Sequence, residues 1–217
     1  MGLNIKVYLD YICPFCFLTT FSFNAAIKNK DVSVEYIPFE IPEVKLENDL
    51  FRKNFWSNIL ENTAKDFGHK AKIPNIHRPK SKFASEAYYF ADENGKGKEF
   101  NSKVYEAFFE KGKDINRIDV LSEVGSEIGI DSDDIKSVLE ARKYKEQHEK
   151  AIKRGKEEGI NAVPTIIIGH TKVVGYKRRE FFDSIIEEEI ERLDKKEHGL
   201  ESSYADFMPM NPSLAGI

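Results

Sequence analysis

Cysteine is nearly absent: the 217 residues contain two, at positions 13 and 16. That scarcity excludes a disulfide-stapled scaffold, which is short and cysteine-dense. No stretch approaches the ~20 apolar residues that a membrane span needs, and the longest of that kind, Val163 to Ile168, is interrupted by Pro164. Charge of one sign is not in excess either. With 33 Lys and Arg against 37 Asp and Glu, the formal net charge is −4, so no global field favours nucleic acid. The amino terminus has no basic stretch followed by an apolar one, and Lys6 stands where a myristoylation signal has Ser or Thr. The expectation is a cytoplasmic protein with neither a membrane nor a nucleic acid as partner. A chain of this length holds a core without staples. In a reducing compartment, a closely spaced thiol pair then points to redox chemistry or metal binding.

The elements follow from periodicity. Ile5, Val7 and Leu9 alternate with Lys6, Tyr8 and Asp10, as in a strand with one buried face. Pro14 suits the first turn of a helix, and Phe17, Leu18, Phe21, Ala25 and Ile27 continue near helical spacing until Asn29-Lys30-Asp31. Val32, Val34, Tyr36 and Ile37 make a second strand, closed by Pro38 and Pro42, and a parallel return would complete a right-handed βαβ unit.

From Glu43 to about Gln147 the pattern turns helical. Apolar stripes run through Leu50, Phe51, Phe55, Trp56, Ile59 and Leu60, through Phe83, Ala87, Phe90 and Ala91, and through Val104, Tyr105, Phe108 and Phe109. Asp114 or Asn116 is a candidate cap for the helix that ends at Gly129, and Asp131 opens the next. The alternating charges of Lys143 to Glu158 read as a solvated face. Thr165–Ile168, a Gly169-His170 turn and Val173-Val174 then form a hairpin, followed by a helix from about Arg178 to Leu193. The tail after Lys196 has no helical period.

Cys13-Pro14-Phe15-Cys16 falls where the first strand gives way to the first helix. Cysteines at i and i+3 face one side of a helix turn, so their sulfurs can close a small disulfide ring with little backbone movement. Cys13 is placed at the helix start, where unpaired N–H groups and the positive dipole end favour a thiolate. Cys16 lies one turn inside and is less exposed. That asymmetry makes Cys13 the nucleophile and Cys16 the thiol that resolves the mixed disulfide. Zinc is the competing reading of any such pair, but a tetrahedral site needs four ligands. No second cysteine pair exists, and His69, His77, His148, His170 and His198 are not spaced as a metal-binding pair. Two unrelated buried thiols are disfavoured by the strand before them and the proline between them. Far downstream, Val163-Pro164 precedes a β-branched run, where a trans proline would waste a ladder donor. Local sequence leaves cis and trans open; the cysteine pair tips the balance to cis.

With Asp10-x-x-Cys13-Pro14-Phe15-Cys16, the run from Phe108-Phe109 to Ile130, and Gly159 to Ile166, the chain resembles the DsbA-like thioredoxin-fold disulfide oxidoreductases, and most closely their FrnE-like branch. The resemblance spans roughly residues 3–195. It implies an α/β, thioredoxin-like fold (βαβ…ββα) with a large all-helical insertion: residues 1–42 and 150–196 as the thioredoxin-like domain, 43–149 as the insertion and 197–217 as a tail. It also implies a substrate-binding loop at Val163 and Pro164, whose backbone pairs with an extended substrate segment while Cys13 exchanges disulfides. Partners would be thiol- or disulfide-containing proteins or small molecules. No cofactor is called for, with glutathione as an optional redox co-substrate. The helical block or the tail could support a homodimer.

Phe15 departs from the tryptophan common in the FrnE-like branch and from the histidine of strongly oxidising periplasmic members, which implies a less oxidising couple than theirs. Asp10 is read as a cap of the helix in preference to a proton acceptor for Cys16. Two alternatives stay open. The first is a glutathione-dependent transferase or isomerase, like the kappa-class transferases and 2-hydroxychromene-2-carboxylate isomerases, which typically carry serine where Cys13 stands. The second is a non-catalytic peptide-binding chaperone that keeps the fold.

Overall fold

The computed structural model describes residues 2–40 and 50–197, and side chains throughout that range except at 50–54 and 197. Pro42, the side chains of Leu50 and Phe51, His198 and the tail therefore lie outside the described residues. Four strands form one mixed sheet: β1 (Leu3–Leu9), β2 (Val32–Pro38), β3 (Thr165–Ile168) and β4 (Thr171–Val174), in the order β2-β1-β3-β4. β1 pairs in parallel with β2, from Leu3↔Val32 to Leu9↔Pro38, and antiparallel with β3, from Ile5↔Ile168 to Tyr8↔Thr165. β3 and β4 form the hairpin, and Gly169 at its turn has φ +54°.

α1 (Pro14–Ile27) is the crossover between β1 and β2, and Asn29, at φ 64°, turns the chain after it. α8 (Arg179–Glu197) packs beside α1, with the Phe23 and Phe182 rings 5.5 Å apart. Between β2 and β3 the chain forms α2 (Leu50–Asp66), α3 (Lys82–Glu93), α4 (Gly97–Tyr105), α5 (Ile118–Glu127), α6 (Ser132–Glu140) and α7 (Lys145–Glu157). The thioredoxin-like α/β fold with a helical insertion is the architecture found.

Three local expectations change. β1 does not bury one face alone: Tyr8 is enclosed with Ile37, Phe39 and Ile160 because α7 covers the second face of the sheet. Gly155 permits that approach, since a Cβ there would lie 2.8 Å from the Phe39 ring. The charge-rich stretch is thus solvated on one side only, with His148 and Gly155 turned inward. α4 runs on into a π-helical turn at Glu106–Glu110, so Phe108 and Phe109 depart from the regular spacing. Neither Asp114 nor Asn116 caps α5: Arg117 is its N-cap residue, and the Asp114 carboxylate accepts the Asn116 amide at 3.0 Å in the preceding turn. Asp131 does cap α6, accepting the Asp133 amide at 2.8 Å.

Candidate active site

The site forms where β1 ends and α1 begins. Cys13 is the N-cap residue of α1 and its carbonyl accepts the first intrahelical bond, from Phe17 at 3.2 Å. Pro14 follows at the first helical position, where it gives up no needed donor. No side-chain cap hydrogen bond satisfies the first amides of this helix end.

Cys13 and Cys16 are both free thiols, 5% and 2% exposed. The difference between them therefore lies more in surroundings than in exposure. The Cys13 thiol points to the Val163 carbonyl, 3.7 Å away and 150 residues on. The Val163–Pro164 peptide is cis, and the Pro164 carbonyl accepts the Gly175 amide at 2.8 Å just beyond β4. Cys16 instead receives the backbone N–H of Asp10 at 3.4 Å. Burial pushes the Cys16 thiol well above its ordinary value, and the hydrogen bond with Cys13 adds to this; the Asp10 amide acts in the opposite sense.

Asp10 is not the helix cap. It sits three residues before the N-cap position, and its Oδ1 accepts the Ile12 amide at 3.2 Å, closing a turn that presents Cys13. Its carbonyl accepts the Cys13 amide at 3.1 Å and the Tyr105 hydroxyl at 3.3 Å.

Phe15 packs edge-on against Trp56 of α2, with ring centroids 4.9 Å apart. On the next turn Phe17 stacks on Phe109 at 5.0 Å, which the π-helical turn presents, and lies 5.9 Å from Tyr105. The redox motif is thereby walled by the helical block. Neither Tyr105 nor Trp56 stood out in the sequence from the apolar stripes that hold them. Among the described residues no group of His, Cys, Asp and Glu could hold a metal ion, and no helix is long and apolar enough to cross a membrane.

The family model described as a DSBA-like thioredoxin domain matches residues 4–187. The chain belongs to that family. The protein YwbO of Bacillus subtilis (strain 168) is 39% identical over 196 residues, which cover 87% of this chain and 98% of that protein. Two solved structures share the fold at low identity. A 2-hydroxychromene-2-carboxylate isomerase superposes with TM-score 0.75 at 15% identity, covering 92% of this chain and 100% of the other. The probable DsbA oxidoreductase SCO1869 of Streptomyces coelicolor also gives TM-score 0.75, at 16% identity over 93% of this DSBA-like chain and 92% of its own.

Proposed function

We propose that the protein is a cytoplasmic thiol-disulfide oxidoreductase of the FrnE-like branch, working through Cys13 and Cys16. The observation that carries the reading is the position of Cys13: at the N-cap of α1, with its sulfur directed at the Val163 carbonyl before Pro164. Helix-start amides stabilise a sulfur anion there, and the neighbouring backbone offers a bound segment an edge to pair with.

In the reductive direction the Cys13 thiolate attacks one sulfur of a substrate disulfide. The substrate S–S bond breaks, one thiolate leaves, and a mixed disulfide joins Cys13 to the other half. Cys16 then loses its proton and attacks the Cys13 sulfur, forming the Cys13–Cys16 disulfide and expelling the second substrate thiolate. Two electrons pass from the dithiol to the substrate, and each departing thiolate takes a proton from solvent. The reverse sequence oxidises a dithiol substrate. Glutathione, as redox co-substrate, would reduce the Cys13–Cys16 disulfide by the same two exchanges.

A buried resolving thiol beside Cys13 supports dithiol exchange over the isomerase or transferase reading, which has no use for it. The test is a pair of variants in an insulin-reduction assay. Cys13→Ser is expected to abolish turnover, and Cys16→Ser to accumulate a mixed disulfide visible by mass spectrometry. Turnover that survives Cys13→Ser would exclude Cys13 as the nucleophile.

A further inference from the structure

Positive charge is spread unevenly over the chain. Residues 65–82, from the end of α2 to the start of α3, and residues 172–179, from β4 to the start of α8, together hold ten Lys and Arg against the single acid Asp66. The whole protein, by contrast, has a formal net charge of −4.

The fold brings these two segments to the active-site end of the sheet. After α2 the chain lies along α1, where the Phe67 ring stacks on Phe21 at 5.3 Å and the His69 ring stacks on the same Phe21 at 4.3 Å. The Lys72 amide then donates to the Phe109 carbonyl at 2.9 Å, and the Phe109 ring stacks on Phe17, one turn after Cys13. The second segment leaves β4 at Gly175, whose amide is bonded to the Pro164 carbonyl. Both segments act on Tyr176: burial pushes its hydroxyl up, Arg178 acts in the opposite sense, and the Asp66 carboxylate adds to the rise.

Lys65, Lys70, Lys72 and Arg178 are exposed and, among the described residues, form no ion pair. Bases elsewhere do find acids: Lys103 and Lys111 share Glu106 and Glu127, and Lys30 is held by Asp183 and Glu187. The acids beside the two segments are Asp66, Glu180 and Glu110, the last engaged by the His69 ring at 2.9 Å. They are too few to cancel the bases, so the surface around the Cys13 and Pro164 loops carries a local positive field on a protein of negative net charge.

We propose that this surface selects substrates by charge, and that the preferred partner is a polypeptide whose disulfide lies in an acidic, extended segment. The inference rests on the dithiol reading above and names the substrate class of that site. With the segment paired to the backbone at Val163, residues on either side of its cysteine pass over the basic surface. Carboxylates there meet Lys70, Lys72 and Arg178, whereas a basic segment is repelled. Exposed charges of this kind add little to affinity singly and act chiefly on the encounter rate, in a salt-dependent way.

The test uses synthetic peptides alike except at the positions flanking a central cysteine, which are filled with Asp, Ser or Lys. The cysteine carries a thiopyridyl group, so that attack by Cys13 on the peptide sulfur releases thiopyridone, followed by stopped flow. At about 20 mM salt the acidic peptide is expected to react about tenfold faster than the neutral one and the basic peptide about tenfold slower, with the spread collapsing at about 0.5 M. Comparing peptides within one protein cancels any change in Cys13 reactivity that is common to them all. Lys70→Glu with Lys72→Glu is expected to abolish or invert the order, and Arg178→Glu to narrow it. Lys150→Glu with Lys153→Glu, the same change of charge on the exposed face of α7, should leave the order as in wild type.

Equal rates for the peptides would overturn the inference, and a thymidine oligonucleotide that then binds wild type but not the Lys70→Glu, Lys72→Glu protein would give the surface to nucleic acid. An order that persists in that variant, or that moves equally in the α7 variant, would overturn it too. Wild type that releases thiopyridone but never frees the peptide thiol from Cys13 would instead remove the dithiol reading, with the charge preference still measured.

Discussion

The Tyr105 hydroxyl, at the end of α4, donates to the Asp10 carbonyl that also receives the Cys13 amide. The helical block therefore touches the redox loop through a backbone oxygen. Tyr105→Phe removes this bond while keeping the ring packed against Tyr11, Phe17 and Phe109. The expected cost is about 0.5–1.5 kcal/mol in urea unfolding, against about 3–5 kcal/mol for Tyr105→Ala, which also opens a cavity. A Tyr105→Phe protein as stable as wild type would show that the hydroxyl contributes nothing.

Trp56 is the one tryptophan in the chain and lies edge-on to Phe15, between the two cysteines. Closing the Cys13–Cys16 bond changes the environment of that ring pair. Emission at tryptophan wavelengths is expected to follow the redox state in a glutathione titration, with a midpoint matching that from thiol alkylation. Trp56→Phe should abolish the optical signal and leave the alkylation midpoint in place.

Glu158, just after α7, accepts hydrogen bonds from Tyr8 at 2.6 Å, Arg154 at 2.9 Å and Lys6 at 3.2 Å. The Tyr8 bond is the main cause that holds its carboxyl down to about 2. Because the folded value lies below the unfolded one of about 4.3, the contribution is fully present above that unfolded value and is lost as pH falls through about 2. Tyr8→Phe should therefore be less stable than wild type at pH 7, with the gap closing between about pH 5 and pH 2. Urea unfolding across that range checks the sign; a gap independent of pH would contradict it.

Glu86 of α3 is a carboxylate only 1% exposed, gripped by both arms of Arg142 at 2.7 and 2.5 Å. Arg142 also lies 5.0 Å over the Phe83 ring. Arg142→Met leaves the carboxylate buried without its partner and is expected to cost about 3–5 kcal/mol. The double variant with Glu86→Leu should recover most of that loss, and a double-mutant cycle in denaturant measures the coupling.

Much of this fold was legible because its signals are short-range. The alternation of Ile5, Val7 and Leu9, the first-turn position of Pro14 and the cap at Asp131 each act within a few residues of chain. The readings that changed depended on neighbours distant in sequence or on turn geometry. Tyr8 is buried because α7 returns across the sheet, with Gly155 allowing its approach. Asp10 and Asp114 have the composition of caps, yet each closes a tight turn two residues ahead of itself, a choice that composition does not distinguish.

The sequence by itself determined the order of elements and the placement of the thiol pair at a strand-to-helix junction, since periodicity and a proline at the helix start are local properties. Only the tertiary structure decided what surrounds that pair: the Val163 carbonyl 3.7 Å from Cys13, Trp56 against Phe15, and Tyr105 on the Asp10 carbonyl. Those contacts join residues separated by as many as 150 positions, and burial, which sets the behaviour of Cys16, arises only when all the layers close together.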